Sequence, residues 1–241
     1  MQTTLPVALS AQLATEKRLD TIANNLANTR TVGFRSEEVK FESFLSRSAP
    51  ETVAFASGGD RYLSTRAGEM TQTGNSLDMA VNGEAFFAIQ TPKGTVYTRD
   101  GRMQMRDTGE LMTVNNEPVL DVGGAPLLVD PAGGPISIAR DGMITQNGVQ
   151  VGAVGLFKMP VGANLQRAGT SGVVPDQAAQ PIVDFEDTAV MQGYVEGSNV
   201  NPILELTRLI EVQRAFEQAA NMIQTSENSL NTAVTQLGAM K

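Results

Sequence analysis

Apolar residues recur at helical spacing near both ends of the chain, and between the ends they come in short runs broken by turn residues. From Leu5 to Leu26, steps of three and four select Leu5, Ala8, Gln12, Thr15, Leu19, Ile22 and Leu26, and Leu9 and Leu13 widen the stripe. No Pro or Gly interrupts residues 7–32, so the period predicts one helix. The run from Asn24 to Thr29 is rich in side chains that compete for backbone hydrogen bonds, and Gly33 is the predicted stop. At the other end Pro202 suits a first helical turn, with Ser198, Asn199 or Asn201 as cap. Large apolar residues at heptad d positions, Leu209, Phe216, Ile223, Leu230 and Leu237, predict a long helix with a coiled-coil-like seam. The matching a positions are Leu206, Gln213, Ala220, Glu227 and Val234, and the polar pair among them suits a bundle of several neighbours.

The middle reads as β. Residues 38–42 alternate polar and apolar, and residues 48–76, rich in Ser, Thr, Gly and Ala, read as an extended, weakly structured connector. From Leu77 onward the strand candidates are 77–81, 85–90, 95–98, 111–114, 118–121, 126–129, 136–138, 143–145 and 149–157. Asn82-Gly83, Asp100-Gly101, Asp141-Gly142 and Asn147-Gly148 stand among the breaks. Such dipeptides are short-hairpin signals, and their close spacing leaves no room for βαβ crossovers. Residues 158–198 read as loop-rich, with one or two further strands.

The expected fold is α+β. Long terminal helices form a coiled-coil-like domain, into which a mainly antiparallel β domain is inserted. The expected divisions are 1–34 (first helix), 35–76 (connector), 77–197 (β domain) and 198–241 (second helix). At about 1.5 Å per residue the helices would be about 35 and 54 Å long, so about 20 Å of the longer stripe has no intrachain partner. An uncovered apolar stripe of that length marks an association surface, unless the helix bends back over the β domain.

Composition narrows the function. Among 241 residues there is no His, Cys or Trp. This excludes Ser-His-Asp and Cys-His nucleophiles, His- or Cys-ligated metals and disulfides. The net charge is −8, of which residues 46–199 carry −7. An acidic chain repels phosphate backbones, so nucleic acid is not an expected partner. No apolar run approaches the roughly 20 residues that span a bilayer, so membrane insertion is not expected either. Residues Met1 to Ser10 hold no Lys or Arg and so lack the basic region of a secretory signal.

The remaining candidates for chemistry are weak. Asp184, Glu186 and Asp187 lack the spacing of a calcium loop and read as a solvated loop. Gly148, Gly152 and Gly155 precede no helix and read as strand or bulge positions, not a phosphate cradle. Arg99 and Arg102 flank Asp100-Gly101 as exposed charges at a hairpin tip, and one ring of Phe86-Phe87 is expected in the core. No catalytic, cofactor or metal site is expected. Three readings stay open: a polymerising structural protein, a β binding module on an oligomerisation stalk, and a carboxylate hydrolase.

Four stretches in order carry a family resemblance. They are Ile22-Ala23-Asn24-Asn25-Leu26-Ala27-Asn28 with Gly33-Phe34-Arg35; Gln72-Thr73-Gly74-Asn75-Ser76-Leu77-Asp78 with Phe86-Phe87; Tyr97-Thr98-Arg99-Asp100-Gly101 with Gly109-Glu110-Leu111; and Glu196-Gly197-Ser198-Asn199 with Gln213-Arg214-Ala215-Phe216-Glu217. The chain resembles the bacterial flagellar basal-body rod and hook proteins. Its length and the Ala14 to Asp20 run make it most similar to proximal rod subunits, with distal rod or hook subunits as the alternative. Ala85 and Met103 depart from the family pattern. The resemblance implies a non-enzymatic subunit without cofactor that polymerises through its terminal helices into a torque-transmitting tube in the periplasm. It implies copies of itself, other rod proteins and the type III export apparatus as partners, and export without a cleaved signal. The expected interface residues are Leu5, Leu19, Ile22, Leu26, Leu206, Leu209, Phe216, Ile223, Leu230 and Leu237, with Gly33 as hinge.

Overall fold

The computed structural model describes residues 4–40, 43–46, 53–56 and 59–238. The chain divides into two compact units: Met1–Ala27, Glu37–Tyr62 and Asn201–Lys241 form the first, Asn28–Ser36 and Leu63–Val200 the second.

In the first unit, helix α1 (Thr4–Ala27) packs along helix α2 (Pro202–Gly238). Asn201 caps α2: its Oδ1 accepts from the N–H groups of Ile203 and Leu204, at 3.1 and 3.2 Å. Those groups have no partner within the helix, which is why Asn is favoured there. Strand Ser43–Ser46 forms a hairpin with Val53–Ala56, and Glu37–Lys40 pairs with Asp60–Leu63. Helix α1 also packs against Glu37–Lys40 and Val53–Ala56.

The expected fold class is therefore corrected. The described residues contain only two helices, one near each end, against nineteen strands in seven sheets, so the chain is mostly β. There is no separate coiled-coil-like helical domain with a β domain inserted into it. Strands of the supposed connector fold into the same unit as the helices, and α1 spends part of its surface on them. The seam also differs from the expected one. On α2 the buried positions are Glu205, Val212 and Ala219, with Leu209, Phe216 and Ile223 half-buried, while Leu206 and Gln213 are exposed. Leu209, Phe216 and Ile223 do face inward, but their companions lie three residues after them instead of four. At about 100° per residue, that shift carries Leu206 and Gln213 off the contact line.

The second unit holds a six-stranded sheet in the order Leu165–Ala168, Gly172–Pro175, Gly94–Thr98, Phe86–Thr91, Leu156–Lys158, Gln180–Pro181. A three-stranded sheet runs Ile136–Ile138, Met143–Gln146, Val149–Ala153. Smaller pairs join Met79–Asn82 to Ala189–Gln192, Met70–Gln72 to Tyr194–Glu196, and Met103–Met105 to Leu111–Thr113. The registers in this unit are all antiparallel. Met79, Phe87, Leu111, Val119, Ile144 and Leu156 form its core, and Ala85 and Met103 are buried with them. Hairpin turns match the dipeptide signals, since Gly142 and the pair Asn147-Gly148 all take positive φ. The candidates at 118–121 and 126–129 form only isolated bridges, and 149–157 breaks into two strands. The region read as loop-rich contributes Leu165–Ala168, Gly172–Pro175, Ala189–Gln192 and Tyr194–Glu196. Gly172–Pro175, Ala189–Gln192 and Tyr194–Glu196 each pair with a distant segment, which local periodicity does not report, while Leu165–Ala168 pairs with the neighbouring Gly172–Pro175 as a hairpin.

Candidate functional site

Two arrangements stand out. The first is the outer face of the helices. Ile203, Leu206 and Ile210 are exposed and lie three and four residues apart, so they share one side of α2, away from Val212 and Ala219. On α1, Leu9 and Leu13 are likewise exposed at a spacing of four. Helix α2 is about 55 Å long against about 36 Å for α1. Every described side chain from 227 to 236 is exposed, Val234 among them. Of the expected interface residues, Ile22 is buried, while Leu19, Leu26, Leu209, Phe216 and Ile223 are half-buried within the unit. Leu206 is 47% exposed. The side chains of Leu5, Leu230 and Leu237 lie outside the described residues.

The second is a buried charged joint that draws together three of the four family stretches. Glu196 is 1% exposed. Its Oε1 accepts from Arg35 Nη2 at 2.9 Å and from the Gly68 N–H at 2.9 Å; its Oε2 accepts from Arg99 Nη1 at 3.1 Å. Arg99 donates further to Val81 O at 2.8 Å and to Gly83 O. Arg35 donates to Thr65 O at 2.8 Å and to Arg66 O. Burial lowers both guanidinium pKa values, that of Arg99 to about 10, and Glu196 offsets this only in part. Beside the joint, Asn199 Oδ1 accepts from the Ser36 N–H at 2.7 Å, and the Asn199 N–H donates to Phe34 O at 3.3 Å. The Arg167 guanidinium lies 4.3 Å over the Phe34 ring.

Gly33 sits in this joint. Its φ is +69°, its N–H donates to Glu196 O at 2.7 Å, and a Cβ there would stand 2.3 Å from Asp100 N. Only glycine meets both demands. In the first unit Asn25 is buried, and its amide exchanges two hydrogen bonds with the Glu37 backbone, at 2.8 and 2.9 Å. The asparagine-rich run thus ties the end of α1 to the following strand. In the second family stretch, Asp78 accepts from Thr73 Oγ1 at 2.7 Å and Asn75 Nδ2 at 3.0 Å, fixing the turn before strand Met79–Asn82.

Sequence reasoning missed the role of Arg99. It is 3% exposed and bound to Glu196, not an exposed charge at a hairpin tip. Nothing local signals this, because its partner is 97 residues away. Arg102 behaves as expected: it is partly exposed and forks onto Asp100 at 2.9 and 2.6 Å. Phe87 enters the core, and Phe86 is half-buried under Arg99, 5.0 Å from its ring. Gly152 is a strand position, opposite Ile144 where the register shifts. Among the described residues, no cluster of acids could hold a metal and no helix is long and apolar enough to cross a membrane.

Three family models match in chain order. Residues 5–35 match flagella basal body rod protein, 80–146 the flagellar hook protein FlgE/F/G D1 domain, and 191–237 the flagellar basal body rod FlgEFG protein C-terminal. The chain is 51% identical to the flagellar basal-body rod protein FlgF of Mesorhizobium japonicum, over 99% of both chains. It is 46% identical to FlgF of Rhizobium meliloti over the full length of both. To the basal-body rod protein FlgG of Bacillus subtilis it is 32% identical, over 91% of this chain and 93% of the other.

Proposed function

The chain belongs to the flagellar basal-body rod protein family, and from that premise we propose how it serves as a structural subunit of the proximal rod. It is not an enzyme, and it assembles with other rod proteins. The apolar face of Ile203, Leu206 and Ile210 packs against neighbouring subunits, joined by the far third of α2 and by Leu9 and Leu13. Buried Ile22 and the half-buried residues Leu19, Leu26, Leu209, Phe216 and Ile223 hold α1 on α2 and so shape the surface that is offered. Gly33 turns the chain out of the first helical segment.

Contacts of unlike patches that do not close generate an open helical array, which is the geometry of a tube. Densely packed helices transmit strain, which is what carrying torque demands. We place the assembled subunit in the periplasm, delivered by the type III export apparatus without loss of a leader, as the family resemblance implies. The absence of Cys is compatible with folding in an oxidising compartment.

The observation that carries this reading is the large apolar face exposed on α2. A Leu206→Asp chain tests it. Because Leu206 is 47% exposed, the isolated subunit should keep its stability to within about 0.5 kcal/mol. Burying an unpaired carboxylate in a subunit contact is costly, so the variant should be absent from isolated basal bodies and the cells non-motile. Normal incorporation and motility would refute the assignment.

A further inference from the structure

The second unit carries a cleft of about 310 Å³, whose lining includes Arg35, Arg99, Phe86, Lys158, Val161 and Leu165. Its charge is opposite to that of its surroundings. Two guanidiniums share the single carboxylate of Glu196, and the buried Nε atoms of Arg35 and Arg99 have no acceptor. At the rim Lys158 and Glu84 stand 3.4 Å apart and offset each other. A net positive charge therefore underlies a cleft in a region that otherwise supplies nearly all of the chain's negative charge. Burial lowers the pKa of Arg99, and Glu196 offsets this only in part. Low-dielectric cleft walls focus such a field outward.

The same unit presents a complementary element. The two most exposed large apolar residues among those described are Val161, 98% exposed beside the cleft, and Val183, 85% exposed. Val183 opens the loop 183–187, where Asp184, Glu186 and Asp187 are all exposed. Strand Leu156–Lys158 pairs antiparallel with Gln180–Pro181, with Lys158 opposite Gln180, and the Ile182 N–H donates to Leu156 O at 2.9 Å. The chain thus leaves Lys158 toward Val161 and leaves Ile182 in the opposite direction toward Val183. Cleft and loop begin at opposite ends of one strand pair.

We propose that the cleft receives the 183–187 loop of a second copy of this chain, with loop carboxylates over the two buried guanidiniums and Val183 against Val161. Charge and apolar character both match, and the contact is head-to-tail, so it repeats without closing. It adds a contact between β units to the helical contacts, and it rests on the reading that this chain polymerises.

The chain has no native cysteine, which makes the test direct. Full-length Val161→Cys and Val183→Cys chains with different tags are mixed and oxidised, and the three disulfide products are separated. Random collision yields roughly twice as much mixed product as either like pair, whereas docking should raise the mixed product on the order of tenfold above both. Adding Asp184→Lys and Glu186→Lys to the Val183→Cys chain should return the random ratio, because the loop then repels the guanidiniums. A random ratio at the outset, or an excess that survives the reversal, overturns the docking. The unaltered chain in isolated basal bodies reports separately on the rod reading. Its presence there with a random ratio removes only the docking, and its absence removes both.

Discussion

Replacing Glu196 by Gln deletes one negative charge between two guanidiniums and barely changes side-chain volume. With Glu196 1% exposed and Arg99 3% exposed, solvent cannot take over the lost role. Breaking a buried ion pair by removing one partner costs about 3–5 kcal/mol, chiefly because the remaining charge is left buried and uncompensated. Here two guanidiniums, at 2.9 and 3.1 Å, are affected together, which favours the upper half of that range. For a unit of this size each kcal/mol lowers the midpoint by about 2–4 °C, so a fall of about 10 °C or more is expected. Near-ultraviolet circular dichroism during heating can follow it, since Tyr97 and Tyr194 lie in this unit and the chain has no Trp. Adding Arg99→Met to Glu196→Gln removes one surplus charge and should recover part of the loss. A loss below about 1 kcal/mol, the value of an exposed pair, would show that the joint does not hold the second unit together.

Other substitutions probe single links. Gly33→Ala, with both a positive φ and a backbone atom 2.3 Å from the new Cβ, should cost at least about 2 kcal/mol in denaturant unfolding. Gly74→Ala, where φ is +75° but nothing lies within 4 Å, should cost only about 1 kcal/mol, and equal losses would deny the crowding at Gly33. Asn25→Ala leaves the Glu37 N–H and C=O without these partners. It should cost about 2 kcal/mol and speed amide exchange at Glu37, whereas unchanged exchange would contradict the tie. Phe216→Asp should loosen the pairing of α2 with α1 and block incorporation into basal bodies while leaving the Tyr97 and Tyr194 signals intact; a motile strain carrying it would count against the proposed helical contact.

What could be read in advance was local. The helical periods of residues 5–26 and 202–237 specified two helices, and Asn82-Gly83, Asp141-Gly142 and Asn147-Gly148 marked places where the glycine takes positive φ, whereas Asp100-Gly101 did not. The four family stretches were visible as strings, and their order was enough to suggest the family. The heptad register was not readable to within one residue. Leu206 and Val212 are both apolar, and which of them faces α1 depends on what α1 and its neighbouring strands present. The strands at 189–192 and 194–196 were missed because each is stabilised by a partner far along the chain, not by its own alternation.

By itself the sequence determined the turns, the two helices, the enzyme classes that missing side chains forbid, and an acidic middle. These depend on a residue and its near neighbours, where steric preference and hydrogen-bond competition act directly. The tertiary structure alone decided that the chain is mostly β, that the connector strands fold with the helices, and that Arg35, Arg99 and Glu196 meet. Those outcomes depend on distant segments that share the burial of apolar surface and the compensation of charge. A guanidinium at position 99 carries no mark in the sequence of the carboxylate that will neutralise it.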